Sequence, residues 1–200
     1  ATNETGASSS ARNDFMRVFH LDCGRKYFSV AEIESLIDTA SAANYTHIEL
    51  AVGNDSLRFL LDDMSVTVDG KTYASDDVKT QIHNGNVKYY DAGSVNELSQ
   101  SDMDAIIAYA QSKNISIIPL INTPGHMDAI LSAATSLTGV NCSAYDSVRT
   151  IDVANTTAVA FTQALLQKYI NYFAGKGCGY FNMGADEYAN DKTDGFAALI

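Results

Sequence analysis

The chain has 200 residues, 46% of them hydrophobic, enough to bury a core of ordinary size without disulfide staples. Its 13 Lys and Arg against 24 Asp and Glu leave a net charge of −11, which argues against nucleic acid or an anionic membrane as partner, because both are met by basic patches. No window approaches the roughly 18 consecutive apolar residues of a spanning helix, and the polar start from Ala1 to Ala11 has no apolar signal-peptide region.

Residues 1–14 are rich in Gly, Ser and Asn and are expected to form a flexible tail or linker. Met16 to Leu21 reads as a short buried strand. Ser29 with Glu32 three residues on forms a capping box, and Val30, Ile33, Leu36, Ile37 and Ala40 then recur at helical spacing. A second strand covers His47 to Val52. From about Gly53 to Ser99 runs an insertion far longer than the usual roughly 2–6 residues of a strand-to-helix loop. Inside it, Val66 to Val68 and Lys71 to Tyr73 flank Asp69-Gly70, a hairpin signal. Ser101 to Lys113 is a helix, Ile115 to Ile121 an almost wholly apolar strand, and Asn122 to about Asn155 another long loop. A long amphipathic helix over Thr156 to Ala174 and a strand over Gly179 to Met183 complete the pattern.

Strands alternating with helices predict an α/β fold with a parallel sheet, and the long loops all follow strands, as in a (β/α)8 barrel whose chemistry sits on one face. Four strands cannot close a barrel of eight. The chain is therefore expected to be about four β/α units of a longer polypeptide, or to pair with another chain. Cys23, Cys142 and Cys178 form no close pair and are expected to be free. His20, His47, His83 and His126 are too dispersed for a metal site, and the run 190–195 lacks the ligands of a calcium loop.

Each strand delivers polar groups to the same rim: Asp22 and Arg25 after the first, Asn54 and Asp55 after the second, Asn122 to His126 after the third, Asp186 and Glu187 after the fourth. Two flanking carboxylates of an ordinary glycosidase lie about 5–9.5 Å apart on opposite sides of the scissile bond. Adjacent carboxyls cannot flank a sugar in that way. They suit a division of labour in which one protonates the leaving oxygen while its ionised neighbour orients the substrate. A 2-acetamido sugar would supply its own nucleophile through the amide oxygen.

At these residues the sequence resembles family-20 glycoside hydrolases. HLDCGRKYFS, GNDSLRFLLDDM with its hairpin, INTPGHMDAIL and FNMGADEYAND carry the resemblance from about Phe15 to Asp194. It is greatest to the β-N-acetylhexosaminidase group, including bacterial surface exo-β-N-acetylglucosaminidases and lacto-N-biosidases. The resemblance implies that residues 15–200 are the N-terminal half of a catalytic barrel with a β-hairpin inserted after its second strand. It implies retaining, substrate-assisted removal of terminal β-linked N-acetylhexosamine, without metal or cofactor, outside a bacterial cell or on its surface. Glu187 would be the general acid/base and Asp186 the residue that orients the acetamido group. Arg25 would grip sugar hydroxyls, His126 would sit beside the acid/base, and Asn54 and Asp55 would supply polar contacts to the pocket. Asp22 would hold local structure. The family builds much of its sugar platform from tryptophans and acidic residues on later strands, and this sequence has no Trp. Two further readings are a lacto-N-biosidase and a non-catalytic carbohydrate-binding or assembly fragment. The partners expected are a glycan ending in β-GlcNAc or β-GalNAc and the missing half-barrel or a second chain.

Overall fold

The computed structural model describes residues 15–90, 96–144 and 148–188; the expected tail, the run 190–195 and the last residues lie outside them. Strand β1 (Val18–Asp22) leads through a capped turn into helix α1 (Val30–Ala42), whose N-cap Ser29 and Glu32 form the reciprocal capping box. Strand β2 (His47–Asn54) follows, with a two-residue strand β3 (Ser56–Leu57) folding back on it. The hairpin at Asp69-Gly70 is formed by β4 (Val66–Val68) and β5 (Lys71–Tyr73). Helix α2 (Ser75–Tyr90) closes the insertion, and helix α3 (Gln100–Ser112) starts at a second capping box, Ser99 with Asp102. Then come β6 (Ser116–Thr123), α4 (Asp128–Thr138), α5 (Thr156–Gly175) and β7 (Asn182–Gly184).

The four main strands stand in chain order, β1-β2-β6-β7, and every pair among them is parallel. A sheet that always adds its next strand on the same side curls in one direction, which is how a (β/α)8 barrel is wound; a doubly wound sheet would reverse its order. This is the N-terminal part of such a barrel, with the hairpin inserted after its second main strand. Among the described residues β1 and β7 each have a neighbour on one side only.

Alternation along β2 sorts its two faces. Ile48, Leu50 and Val52 are buried with Ile33 and Ile37 of α1, Met103 and Ile106 of α3, and Phe161, Leu165 and Phe173 of α5. Glu49 points to the other face, bonded to His20 of β1 at 2.8 Å and, across β6, to Asn182 of β7 at 2.9 Å. Phe59, from the insertion, anchors the outer layer: its ring sits 5.6 Å from Tyr169, 5.3 Å from Tyr172 and 5.6 Å from Phe173.

Two helices stand where the sequence predicts loops. Helix α2 offers few buried apolar residues, Val78 and Ile82, and carries Gly85 and Asn86 mid-helix, where glycine normally disfavours a helix. Tertiary packing reverses that preference. A methyl group on Gly85 would lie 2.9 Å from Cα of Ala129, so glycine is what lets α2 and α4 approach backbone to backbone. Asn86 is fully buried, yet its amide accepts from N–H of Leu57 at 2.9 Å and donates to Leu57 O and Glu97, both at 2.9 Å. Helix α4 is hidden in the sequence by its Ser and Thr residues, although Ala129, Ile130, Leu131, Ala133 and Ala134 are all buried. The last strand is shorter and later than expected, Asn182–Gly184 in place of Gly179 to Met183, because only that stretch reaches β6.

The cysteines are free; Cys23 and Cys142 are buried, and burial pushes the Cys23 thiol up to about 12, leaving it unreactive at neutral pH. No described helix is long and apolar enough to cross a membrane.

Candidate active site

The ends of β1, β2, β6 and β7 meet at one rim because the strands are parallel. Backbone hydrogen bonds fasten the loops there: Asp55 N–H donates to His126 O at 2.7 Å, Ala129 N–H to Asp55 O at 2.9 Å, and Ala185 N–H to Thr123 O at 2.9 Å. The register shifts between Ala51 and Gly53 of β2 and between Leu120 and Thr123 of β6 fall at the same end, where a bulge re-aims side chains.

One chain of contacts runs from Arg25 to Glu187. Arg25 Nε donates to Asp55 Oδ2 at 2.8 Å; Asp55 Oδ1 lies 2.7 Å from His126 Nδ1; His126 Nε2 lies 2.8 Å from Glu187 Oε2. Asp55 and His126 are buried, with side chains 3% and 5% exposed, whereas that of Glu187 is 58% exposed. The carboxylate of Asp55 can only accept, so the proton on His126 sits on Nδ1. Arg25 Nη2, 3.3 Å from the same nitrogen, is then a close neighbour and not a donor to it. Nε2 is left free to accept a proton from Glu187 or, on an imidazolium, to donate to its carboxylate.

A second chain runs across the four strand ends. Asp22 Oδ1 accepts from N–H of Gly24 and Arg25, both at 3.0 Å, and so shapes the first loop. Its Oδ2 accepts from Asn54 Nδ2 at 2.8 Å. Asn122 Nδ2 donates to Asn54 Oδ1 at 3.4 Å and to Asp186 Oδ1 at 2.7 Å. Gly184 makes this last approach possible: its φ is +73°, and a methyl group there would sit 1.9 Å from Asn122 Oδ1.

Backbone strain gathers at the same place. Seven described non-glycine residues have positive φ. Asn44, Asp69 and Asn114 are of the types that tolerate it in turns. The others are Asp55 (64°), His126 (54°), Ala185 (68°) and Glu187 (47°), all at this rim. Such residues cost about 1–3 kcal/mol each and persist where the surrounding bonds over-determine them.

Arg25, Asp55, His126, Glu187, Asn54 and Asp186 all lie at this one rim, though not all face outward. Asp55, expected among the pocket's polar contacts, is turned inward beneath Arg25 and His126. Three residues at or under the rim were not singled out from sequence. Asn122 was visible only as one of several polar residues after the third strand. Arg58 is buried, donating from Nε to Gly24 O at 2.8 Å, under the Arg25 loop. Asp128, 1% exposed at the start of α4, has two carboxylate oxygens without a hydrogen-bond partner among the described residues and an Arg149 guanidinium 3.7 Å away. Its burial, reinforced by the nearby charge of Asp55, raises its pKa to about 6. Among the described residues no group of three His, Cys, Asp or Glu is placed to hold a metal ion.

A singly wound parallel sheet that gathers polar and ionisable groups at its C-terminal rim is the architecture of a (β/α)8-barrel enzyme. The chain belongs to glycosyl hydrolase family 20: the catalytic domain of that family matches residues 15–195. A solved structure of the pneumococcal virulence factor StrH, concerned with N-glycan recognition and hydrolysis, is 46% identical over 92% of this chain and 46% of that one, with a TM-score of 0.87. One from work on the tandem family-20 catalytic modules of the pneumococcal exo-β-D-N-acetylglucosaminidase StrH is 48% identical over 90% of this chain and 44% of that one, with a TM-score of 0.85. Among curated proteins, the lacto-N-biosidase of Bifidobacterium bifidum is 32% identical over 90 residues, which are 45% of this chain and 8% of that protein. The chain thus spans less than half the length of the relatives it matches.

Proposed function

We propose that this chain carries the acid/base half of an exo-acting β-N-acetylhexosaminidase that removes terminal β-linked N-acetylhexosamine from glycans with retention of configuration. The observation that carries the reading is Glu187, exposed at the rim, bonded to a buried His126–Asp55 pair, and adjacent in sequence to Asp186.

In the first step the acetamido carbonyl oxygen of the substrate attacks C1 while the bond from C1 to the glycosidic oxygen breaks. Glu187 gives its proton to that oxygen, which leaves as the alcohol, and the sugar is left as an oxazolinium ion. Asp186 accepts the acetamido N–H, fixing the nucleophile and offsetting the positive charge that develops. In the second step water adds to C1 on the face the leaving group vacated, and Glu187 takes its proton. The ring opens, and two inversions amount to retention. His126, held by Asp55, exchanges the hydrogen bond to Glu187 as that group alternates between acid and carboxylate. Arg25, oriented by Asp55, would bind hydroxyls of the terminal sugar through its guanidinium.

The higher identity over a larger share of the chain to the exo-β-D-N-acetylglucosaminidase than to the lacto-N-biosidase favours a single N-acetylglucosamine as the released unit. The platform under that sugar would come from the rest of a barrel, supplied by the longer polypeptide to which residues 15–200 contribute the N-terminal half, or by a second chain. Work on surface glycans outside a bacterial cell fits this substrate class.

The test is hydrolysis of β-GlcNAc, β-GalNAc and lacto-N-biose glycosides by the full polypeptide that carries this chain. Glu187→Gln should lose about 10²–10⁴-fold on a poor leaving group and much less on an activated aryl glycoside, which needs little protonation. Asp186→Asn should impair both, since it disturbs the nucleophile. Equal losses on the two substrates in the Glu187 variant would contradict the assignment.

A further inference from the structure

We infer that Asn122 is a positioning residue that aims Asp186 by donating a hydrogen bond to its carboxyl, as the third rung of a ladder running Asp22–Asn54–Asn122–Asp186 across the ends of β1, β2, β6 and β7. The inference rests on the role proposed above for Asp186 and concerns what holds that carboxyl in place.

The ladder has one consistent direction. Asp22 can only accept in its ionised form, so Asn54 must present Nδ2 to it and Oδ1 to the next strand. That oxygen in turn requires Nδ2 of Asn122, whose second hydrogen goes to Asp186 Oδ1 at 2.7 Å. The distance is that of a charge-assisted bond. A flipped Asn122 would bring its carbonyl oxygen against both Asn54 Oδ1 and Asp186 Oδ1.

The orientation carries a cost that marks its purpose. Asn122 is 5% exposed, and its Oδ1 is buried against Gly184 without a hydrogen-bond partner among the described residues. A buried orphan acceptor destabilises a fold unless something is gained elsewhere. Here the gain is a neutral two-hydrogen donor fixed between two acceptors. An aspartate in its place would set two carboxyls 2.7 Å apart, where only one can ionise.

Other charges surround Asp186. Glu187 adjoins it, with His126 of the β6–α4 loop bonded to that glutamate; Asp55 and Arg25 lie behind His126, and Asp22 stands two amides away. Asn122 donates to the Asp186 carboxyl directly, at 2.7 Å, so its exchange should act on that carboxyl most directly.

The experiment compares wild type, Asn122→Asp and Asn122→Ala in the full polypeptide. Two readouts are taken: the pH dependence of kcat and KM on an aryl β-GlcNAc glycoside, and the ¹³C titration of the Asp186 carboxyl. Asn122→Asp should move the acid limb of kcat up by about one to two pH units. It should lower kcat near neutrality about ten- to hundred-fold with KM little changed. Asn122→Ala, which removes the donor without adding a charge, should move the limb in the same direction by less, and it carries the test if the aspartate variant fails to fold. Loss of activity with an unmoved acid limb, or an Asp186 carboxyl that titrates identically in wild type and both variants, overturns the inference. Should wild type not hydrolyse the glycoside, the function proposed above fails, while the carboxyl titration still decides the ladder.

Discussion

The two site carboxyls that a sequence shows side by side, Asp186 and Glu187, are separated in the fold by what holds them. Glu187 is bonded to a histidine that can hold or release a proton, Asp186 to an amide nitrogen that can only donate. Beneath them Asp128 has a different consequence, for stability. Arg149 and His126 favour the carboxylate, but burial and the charge of Asp55 outweigh them and raise its pKa from 3.8 to about 6. An acid with a raised folded pKa holds a proton that the unfolded chain has released. The stability this confers is fully present below about pH 4 and is lost as pH rises through about 6. At 1.36 kcal/mol per unit the loss is about 3 kcal/mol. Urea unfolding of wild type and Asp128→Asn from pH 4 to 7.5 should show a falling stability in the first and a flatter curve in the second, with the variant the more stable above pH 6. Parallel curves would refute this account.

At the scale of elements, α2 and α4 show packing overriding propensity. Replacing a mid-helix glycine by alanine normally favours the helix by about 1 kcal/mol. At Gly85 the added methyl would lie 2.9 Å from Ala129 backbone atoms, and forcing such a contact apart costs roughly 1–3 kcal/mol. Gly85→Ala should therefore destabilise the protein on balance. Gly175→Ala, at the end of α5 with nothing within 4 Å of the added methyl, should stabilise it by roughly 0.5–1 kcal/mol. Thermal unfolding of the two variants decides the matter, and a gain in both would mean that α2 and α4 separate easily. The same close packing explains why these two helices were not legible. The sequence rules look for an apolar stripe at a 3.6 period, and α2 meets its neighbours with a glycine, a buried amide and only a few apolar side chains.

At the scale of the whole molecule the open sheet is the dominant feature. Strands β1 and β7 lack an outer neighbour among the described residues, and Phe15, Met16 and Val18 near one edge and Tyr180 and Met183 near the other are exposed. The 200-residue chain alone should bind a hydrophobic dye or self-associate, whereas a polypeptide extended by the later barrel strands should do neither. Light scattering and dye fluorescence on both make the comparison; equal dye binding would mean that those edges are not where a barrel continues. Sequence by itself determined the alternation of parallel strands and helices, the Ser29–Glu32 capping box, the Asp69-Gly70 hairpin and the rim to which each strand brings its polar end. All of these follow from periodicity and turn chemistry confined to a few neighbouring residues. Only the tertiary structure decided that Asp55 turns inward to His126, that Asn122 reaches Asp186, and that Asp128 is buried beside them. Those pairings join residues far apart in the chain, and their partners are chosen by strand register and helix packing, for which no local pattern exists.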